Sequence, residues 1–578
     1  MPDRVVDYLV RAVAAAGTRH VFGVDGANIE DLYDAIFDAR AEVTGVIAKH
    51  EFSAATMADG YARTSGRLGV VAATSGGGAM NLVAGLAESF ASRVPVLALV
   101  GQPPTAQEGR GAFQDTSGKA DTIDATALFA TISRFCARVT DPAELPTLVT
   151  AAITAARRGG PAVLLLPKDI QQAVCDHPYV PPAPPEHHRD HAAFERVRER
   201  LIEARRVGKV TVIVGDQVAR DDARVEFAEL AAVLDASVGV APDAKDAFDN
   251  TDPGFRGVAG TMGHPDMVAA LRSATLCLLV GTALPVTARA GLDDAVGETE
   301  VVSIGAVRPH PLALHAHSTD LAADLAELAA GFTAGFTADP PARPPATASP
   351  AILDVPAADG PGPRYRQVVE TLDRALPEET DVFADAGNTG ASVVHHLRVP
   401  RGGRFVVALG MGGMGYAFGG GIGSAFARGR RTVVVAGDGA FYMHGMEVHT
   451  AVEYDLPVTF VVLNNNAHAM CVTREQLYYR NRYSFNRFRR TGLGDGIAAM
   501  FPGLPVRSVR RSEELADAFA CCLAVSGPAF LSIECDPDEI PPFVPFLSAL
   551  EATPREAVSL SRLASSPHPS PETLRRNQ

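Results

Sequence analysis

The chain has no tryptophan, only seven cysteines in 578 residues, and no apolar run long enough to cross a bilayer. The cysteines are odd in number and form no Cys-x-x-Cys pair, so reduced and mostly buried thiols explain them better than a disulfide framework. The opening segment MPDRVVDYLV lacks the apolar core of a signal peptide. These absences predict a cytoplasmic protein with no membrane partner.

A surplus of positive charge is also missing, because 67 acidic residues outnumber 52 basic ones and give a net charge of −15. That balance argues against nucleic acid or an anionic membrane surface as a partner. The composition, 47% apolar and 21% charged, is typical of a globular protein, and the length predicts about three or four domains.

Two proline-rich segments, 179–191 and 335–363, interrupt the periodic patterns and are interpreted as linkers. They predict domains at 1–175, 190–330 and 364–548, followed by a C-terminal tail at 549–578 that is partly disordered.

Short β-branched runs alternate with helical patterns in each predicted domain. The runs are LGVVAAT, VPVLALV and AVLLLP in the first; VTVIVGD, LCLLVG and TEVVSIG in the second; and DVFAD, RFVVAL, TVVVA, VTFVVL and AFLSIE in the third. The pattern predicts an α/β fold of three open parallel-sheet domains. Such sheets bind ligands at the carboxyl ends of their strands.

Polar residues follow two of these runs in the third domain. Asp438 comes directly after TVVVAG, and Asn465 follows VTFVVLN. The segment Met446–Tyr454 between them predicts a helix, so the two strands should be parallel with their carboxyl ends side by side. A carboxylate beside an amide oxygen suits Mg²⁺, whose remaining ligands usually include substrate phosphates.

The glycine-rich segment 409–423 offers a competing interpretation. Gly410, Gly412 and Gly415 match G-x-G-x-x-G, and Asp438 ends the next strand, as in a nicotinamide-dinucleotide fingerprint. However, Asp438 lies within Gly-Asp-Gly, a tight turn suited to metal and phosphate, and the asparagines at 464–466 have no role in a dinucleotide site. A magnesium–diphosphate site is therefore favoured.

Gly-Asp-Gly followed 27 residues later by Asn-Asn resembles the signature of thiamine-diphosphate-dependent enzymes. Segments 49–102, 111–115, 409–423 and 464–484 are similar to the acetolactate synthase branch of that family. The resemblance implies a pyrimidine-binding domain, a middle domain and a diphosphate-binding domain, with thiamine diphosphate and Mg²⁺ as cofactors.

The resemblance also implies roles for individual residues. The metal ligands carry over as Asp438, Asn465 and the backbone carbonyl of Ala467. Glu51 matches the carboxylic acid that bonds the pyrimidine N1′ atom and promotes loss of the cofactor's C2 proton. The alternative for Glu51 is an acid that only stabilises a helix N-terminus.

Further cofactor contacts follow from the same resemblance. Met414 matches the apolar side chain that bends the cofactor, although a methionine there could instead fill a packing gap. Gly412 would offer its carbonyl to the cofactor's amino group. The remaining matches to the cofactor-binding set, beside Glu51 and Asn465, are Asn388, Gly439, Ala440 and Met470. Asn388 could alternatively serve only its own loop.

On the substrate side the resemblance assigns Phe113 and Gln114 to the reacting centre, with ordinary core packing as the alternative for Phe113. His468 is a candidate for moving protons, although such histidines often only satisfy local hydrogen bonds. Arg474 stands where the branch has a tryptophan lining the acceptor pocket, which favours a more polar or anionic acceptor. The segment after LCLLVG lacks the branch's flavin-contacting arginine pattern, which puts a structural FAD in doubt.

The resulting hypothesis is a carboligase that decarboxylates a 2-oxo acid, with pyruvate as the donor, and joins the product carbanion to a second carbonyl compound. The alternatives are a simple 2-oxo acid decarboxylase and, outside the family, a nicotinamide-dependent oxidoreductase. Relatives build each active site from two subunits, so the resemblance implies a homodimer or homotetramer with the site at the subunit interface.

Overall fold

Three six-stranded sheets, each parallel throughout and covered by helices, form the framework of the computed structural model. The structure describes residues 3–175, 177–183, 186–311, 313–335 and 349–552. The predicted fold class is confirmed, and every apolar run quoted above overlaps a strand. Such strands are buried on both faces because helices cover both sides of a parallel sheet. Part of the predicted linker (336–348) and most of the predicted tail (553–578) lie outside the described residues.

The first sheet has the strand order β2-β1-β3-β4-β6-β5. Its domain contains α1 (Val5–Ala15), β1 (His20–Val24), α2 (Glu30–Asp38), β2 (Thr44–Ile47), α3 (Glu51–Ser65), β3 (Gly69–Ala73), α4 (Gly77–Ala91), β4 (Val96–Gln102), α5 (Ala125–Ala130), β5 (Phe135–Arg138), α6 (Leu145–Arg157), β6 (Pro161–Pro167) and α7 (Lys168–Gln171).

The middle sheet has the strand order β12-β11-β10-β7-β8-β9. Its domain contains α8 (His191–Val207), β7 (Val210–Val214), α9 (Asp216–Arg220), α10 (Arg224–Val233), β8 (Ser237–Val240), β9 (Phe255–Val258), α11 (Pro265–Arg272), β10 (Leu276–Val280), α12 (Val286–Arg289), α13 (Asp293–Glu298), β11 (Glu300–Gly305), β12 (Leu314–His317) and α14 (Leu321–Gly335).

The third sheet has the strand order β14-β13-β15-β16-β18-β17. Its domain contains α15 (Tyr365–Ala375), β13 (Asp381–Ala384), α16 (Asn388–His396), β14 (Phe405–Val407), α17 (Tyr416–Arg428), β15 (Thr432–Gly437), α18 (Asp438–His444), α19 (Val448–Glu453), β16 (Val458–Asn464), α20 (Ala469–Tyr479), α21 (Leu493–Met500), β17 (Val506–Val509), α22 (Leu515–Leu523), β18 (Ala529–Glu534) and α23 (Val544–Ala552).

The first and third sheets share one topology. When strands are numbered within each domain, both orders become 2-1-3-4-6-5, although no sequence repeat relates the two domains. The middle sheet instead has the order 3-2-1-4-5-6 of dinucleotide-binding folds, read from the opposite edge. The chain therefore contains two copies of one architecture with a different domain inserted between them.

Helices α3 and α17 join the first domain to the third by close backbone contact. A Cβ atom built on Gly60 would overlap the carbonyl oxygen of Gly420, and one on Gly423 would overlap that of Met57. The N-terminal ends of the two helices lie together, because a Cβ on Gly413 would lie 3.4 Å from the Phe52 ring. Glycine is required here because any side chain would push the helices apart.

We expect Gly60→Ala to lower the free energy of unfolding by about 1 to 3 kcal/mol, since the added methyl group overlaps backbone that cannot rotate away. Urea denaturation followed by circular dichroism would measure the change. Gly297→Ala is the matched control, because Gly297 is also helical and a Cβ there meets no heavy atom within 4 Å. Equal stability of the two variants would contradict the proposed packing constraint.

Candidate cofactor site

The site begins where strands β15 and β16 end. The two strands are parallel neighbours with Gly437 opposite Leu463, so Asp438 and Asn465 lie at adjacent strand ends, as the sequence predicts. The crossover differs from the prediction in its helices. Asp438 is the first residue of α18, not part of an isolated tight turn, and the predicted helix Met446–Tyr454 is a 3₁₀ turn at Gly445–Glu447 followed by α19. An acidic residue in a first turn is favoured by the helix dipole.

Asp438 is fully buried, and neither of its carboxylate oxygens completes a hydrogen bond among the described residues. Burial raises its pKa from 3.8 to about 7, although the backbone amides of Gly439, Asn465 and Asn466 lie close enough to lower that pKa in part. A buried carboxylate without partners is costly unless a cation compensates it. This position is therefore suited to a metal ion.

Other unpartnered oxygens lie on residues around Asp438. Asn388 opens α16 and is 2% exposed; its Nδ2 donates to the carbonyl of Glu539 at 3.3 Å, while its Oδ1 has no partner among the described residues. Glu539 has one unpartnered oxygen, and burial raises its pKa to about 7. Tyr365 links this group to the loop after β16 (residues 465–467), called the metal loop because it contains two of the predicted metal ligands; the Tyr365 hydroxyl accepts from Asn465 Nδ2 at 3.0 Å.

The metal loop folds back on itself after β16. Asn465 Oδ1 accepts a hydrogen bond from the amide of Ala467 at 3.0 Å, and both residues are buried. The described residues contain no cluster of three or more histidine, cysteine or acidic side chains that could hold a metal. A metal here would thus depend on one carboxylate, neutral oxygens and a phosphorylated ligand, a donor set that suits Mg²⁺.

Two predicted side chains converge on the backbone of Gly439. A Cβ atom there would lie 2.6 Å from the His468 ring and 3.2 Å from Met414 Cε. A side chain at this position would collide with His468 and Met414, so glycine is required here. Ala440 follows in the same buried turn. The structure therefore brings Met414, Gly439 and His468 together.

The glycine-rich turn before α17 is held from two sides. Asp385, at the end of β13, accepts from the amides of Gly415 and Ala417, both at 2.9 Å, and burial raises its pKa to about 6. Glu88 of α4 in the first domain accepts from the amides of Gly410 at 3.2 Å and Met411 at 2.6 Å. These carboxylates were not predicted as site residues, although Asp385 lies in the segment DAGNTG that contains Asn388. Between them, Gly412 is exposed and has a φ of +66°, a conformation that favours glycine.

Glu51 is the first residue of α3 and is buried, with its Oε2 accepting from Asn81 Nδ2 at 2.9 Å. The turn before it is fixed by a residue of the third domain that the sequence interpretation missed. Glu447 Oε1 accepts from the amides of Lys49 at 2.8 Å and His50 at 3.2 Å. Glu51 and the third-domain 3₁₀ turn at Gly445–Glu447 therefore lie close together within a single chain.

The remaining predicted residues lie nearer the surface. Phe113 is 74% exposed, which excludes its alternative as ordinary core, and Gln114 Oε1 accepts from the Thr74 hydroxyl at 3.3 Å. Met470 is half-buried against the core shared by the middle and third domains. Arg474 is exposed, with its guanidinium 5.9 Å from the Phe546 ring of α23.

Comparison with known proteins identifies this arrangement. The family models "Thiamine pyrophosphate enzyme, N-terminal TPP binding domain", "central domain" and "C-terminal TPP binding domain" match residues 3–123, 194–330 and 385–533, together more than half of the chain. The chain belongs to the thiamine-diphosphate-dependent enzymes. The predicted family is therefore confirmed, and the nicotinamide interpretation of the glycine-rich turn is not supported.

Acetolactate synthases are among the curated relatives of this chain. The chain is 28% identical to the isozyme 2 large subunit of Escherichia coli K12, over 93% of this chain and 97% of that protein. It is also 28% identical to the enzyme of Arthrospira platensis, over 92% and 94%. An X-ray structure of a protein from Mycobacterium smegmatis, described as a thiamin diphosphate-dependent enzyme, has the same fold, with a TM-score of 0.76 at 22% identity over 92% of this chain and 99% of that one. No helix among the described residues is long and apolar enough to span a membrane.

We expect Glu447→Ala to release the turn before Glu51, because two backbone amides lose their acceptor. Hydrogen–deuterium exchange should show faster uptake at residues 47–53, and turnover should fall roughly ten- to hundredfold as Glu51 shifts. Glu453→Ala, an exposed change in α19 of the same crossover, is the control and should alter neither measurement. Unchanged exchange at 47–53 would contradict the positioning role of Glu447.

Proposed function

We propose that this protein decarboxylates a 2-oxo acid, with pyruvate as the donor, and adds the resulting two-carbon unit to a second carbonyl compound. One observation carries the proposal: the buried acid Glu51 opens a first-domain helix whose next residue, Phe52, packs against the glycine-rich turn of the third domain. The third domain also contains Asp438, a buried carboxylate that completes no hydrogen bond among the described residues. The similarity to acetolactate synthases supports both the donor and the carbon–carbon bond formation.

The described residues fit the family's cofactor. Asp438, the side chain of Asn465 and the carbonyl of Ala467 would hold Mg²⁺, and Asn388 with the amides of Gly439 and Ala440 would hold the diphosphate. Bound thiamine diphosphate supplies a stabilised carbanion, the chemistry that no side chain can provide. The carbonyl of Gly412 would orient the aminopyrimidine ring, and the Met414 side chain would hold the cofactor in its bent conformation. Met470 would support the metal loop from the core side.

Three groups of this chain act on protons and substrate. Glu51 would hold a proton at N1′ of the pyrimidine, where its burial keeps water from competing for that contact. Gln114, fixed by Thr74, and exposed Phe113 would position the donor from the first-domain side. His468 lies against Gly439 and would move a proton at the reacting centre, where cofactor and substrate meet.

Arg474 is proposed to influence the choice of acceptor. Its guanidinium lies over an aromatic ring of α23 and is exposed, so it can meet a polar or anionic acceptor on the way in. A neutral apolar acceptor would gain nothing from that contact. The acceptor is therefore proposed to carry a charged or strongly polar group.

A structural FAD is not proposed, because a glutamine fills the crevice where the middle sheet would bind a dinucleotide. That crevice lies between the ends of β7 and β10, where the strand order reverses. Gln217 is 3% exposed; its Oε1 accepts from the Ala306 amide at 2.8 Å and its Nε2 donates to the Ser318 carbonyl at 3.2 Å. A dinucleotide would have to displace these satisfied hydrogen bonds.

We expect purified protein, supplied with thiamine diphosphate, Mg²⁺ and pyruvate but no flavin, to form a condensed hydroxy-ketone product with a polar carbonyl acceptor. Mass spectrometry would identify the product, and the protein's absorption spectrum should lack a flavin band. Glu51→Gln should keep cofactor binding while losing most turnover, whereas Asp438→Ala should lose cofactor binding itself, as measured by calorimetry. Release of acetaldehyde and CO₂ alone, with every acceptor, would identify a decarboxylase instead.

We further propose a homodimer or homotetramer in which the first domain of one subunit completes the site of another. Exposed apolar side chains border the site, with Phe113 74%, Met411 62% and Met443 49% exposed, and a second chain would cover them. Within one chain the same two domains pack through α3 and α17. If α3 of one chain packed against α17 of another, as in domain swapping, the geometry of the contact would be unchanged.

Coexpression of the Glu51→Gln and Asp438→Ala chains tests this arrangement. If sites form between subunits, mixed dimers contain one intact site, and activity should return to about one quarter of wild type because half of the random dimers are mixed. Each variant expressed alone is the control and should be inactive. Absence of recovery from purified mixed dimers would place each site within one chain.

A further inference from the structure

A cavity of about 530 Å³ lies between the middle domain and helices α15 and α16 of the third domain. It is within the size range of small-molecule sites. Its wall contains four cationic side chains and two carboxylates: Lys245, Arg366, Arg374, Arg398, Glu370 and Asp373. Positive charge thus predominates here in a chain whose net charge is −15.

Both carboxylates in this wall already have cationic partners. Asp373 accepts from Arg398 Nη2 at 2.6 Å and Nε at 3.0 Å, and Glu370 accepts from Arg366 Nε at 2.6 Å. Arg374 donates only to the Thr371 hydroxyl, at 3.1 Å, among the described residues. Its guanidinium is therefore left without a carboxylate in the part of the chain that the structure describes.

Lys245 and His264 form the buried side of the cavity. Lys245 is 2% exposed, and its Nζ donates to the carbonyls of Val393 and Val394, without a carboxylate partner among the described residues. Burial lowers its pKa to about 7. His264 is also buried, with its Nδ1 accepting from the Val258 amide at 3.0 Å and its ring bonded to the His395 backbone, so both of its nitrogens are already satisfied.

We propose that this cavity binds a small, multiply charged oxyanion, carrying either a phosphate group or two carboxylates. Arg374 at the rim would pair with it through its planar guanidinium, while Lys245 would donate from the buried side. The neighbouring His395 is no competitor for the anion, because its ring nitrogens bond the Met262 carbonyl at 2.9 Å and the Leu353 amide at 3.1 Å.

Helix α16 connects this cavity to the proposed cofactor site. The helix begins at Asn388, which would hold the diphosphate, and Lys245 binds carbonyls in its last turn. Nine helical residues span only about 13 Å. Because an anion on Lys245 and a diphosphate near Asn388 both act on this short helix, each is expected to change the other's affinity by the same factor.

Isothermal titration of the thiamine-diphosphate- and Mg²⁺-saturated protein with inorganic phosphate and with succinate tests the site. Saturation keeps the probes out of the diphosphate site, and the heat of binding is measured whether or not the protein turns over substrate. We expect at least one probe to bind and Arg374→Ala to weaken it by about tenfold, the scale of one charge-assisted hydrogen bond. Lys245→Met should weaken it likewise, and Arg510→Ala, an exposed change elsewhere in the third domain, should not.

Each outcome either identifies the chemical class of the ligand or refutes the proposed site. Binding of phosphate alone indicates a phosphorylated ligand, and binding of succinate alone a dicarboxylate. Equal binding by wild type and Arg374→Ala, or no binding of either probe, would overturn the proposal. A second titration, of thiamine diphosphate with and without the bound probe, tests the coupling; identical cofactor affinities would refute the link through α16.

Discussion

Close contact between helices α3 and α17 is the constraint on which the candidate site depends. The glycines at this contact let two backbones approach without side chains between them. Because both helices begin at the site, their spacing sets the distance from Glu51 to the glycine-rich turn. Charged groups then fix the ends of the two helices: Glu447 holds the turn before α3, and Asp385 and Glu88 hold the turn before α17.

The buried carboxylates around the candidate site fall into two groups, one that stabilises the fold and one that costs it stability. Glu447 and Asp385 are buried but accept several backbone hydrogen bonds, so they stabilise loops that would otherwise have free amides. Asp438 is equally buried, yet neither of its oxygens completes a hydrogen bond among the described residues, and burial outweighs the nearby backbone amides so that its pKa is raised. A fold retains a buried carboxylate of the second kind only at a cost, and the proposed binding of a cation and diphosphate would offset that cost.

Much of the fold follows from the sequence because parallel strands buried on both faces are continuous apolar runs. The position of Asp438 beside Asn465 also follows, since a crossover leaves parallel strand ends adjacent. The helix at Asp438 was missed because Gly-Asp-Gly has the composition of a turn. Glu88 and Glu447 could not be predicted, because each acts on a segment more than 300 residues away along the chain, and local pattern carries no information about such contacts.

The middle domain shows how one strand order can serve different purposes. Its sheet has the dinucleotide-binding topology, yet Gln217 closes the crevice at the strand reversal with its own hydrogen bonds. The open cavity of this domain lies instead against helices α15 and α16, and cationic side chains outnumber acidic ones in its wall. We propose that the middle domain nevertheless acts on the cofactor site, because Lys245 binds the last turn of the helix whose first residue, Asn388, belongs to the proposed cofactor-binding set. In that proposal helix α16, which is nine residues long, connects the middle domain to the cofactor.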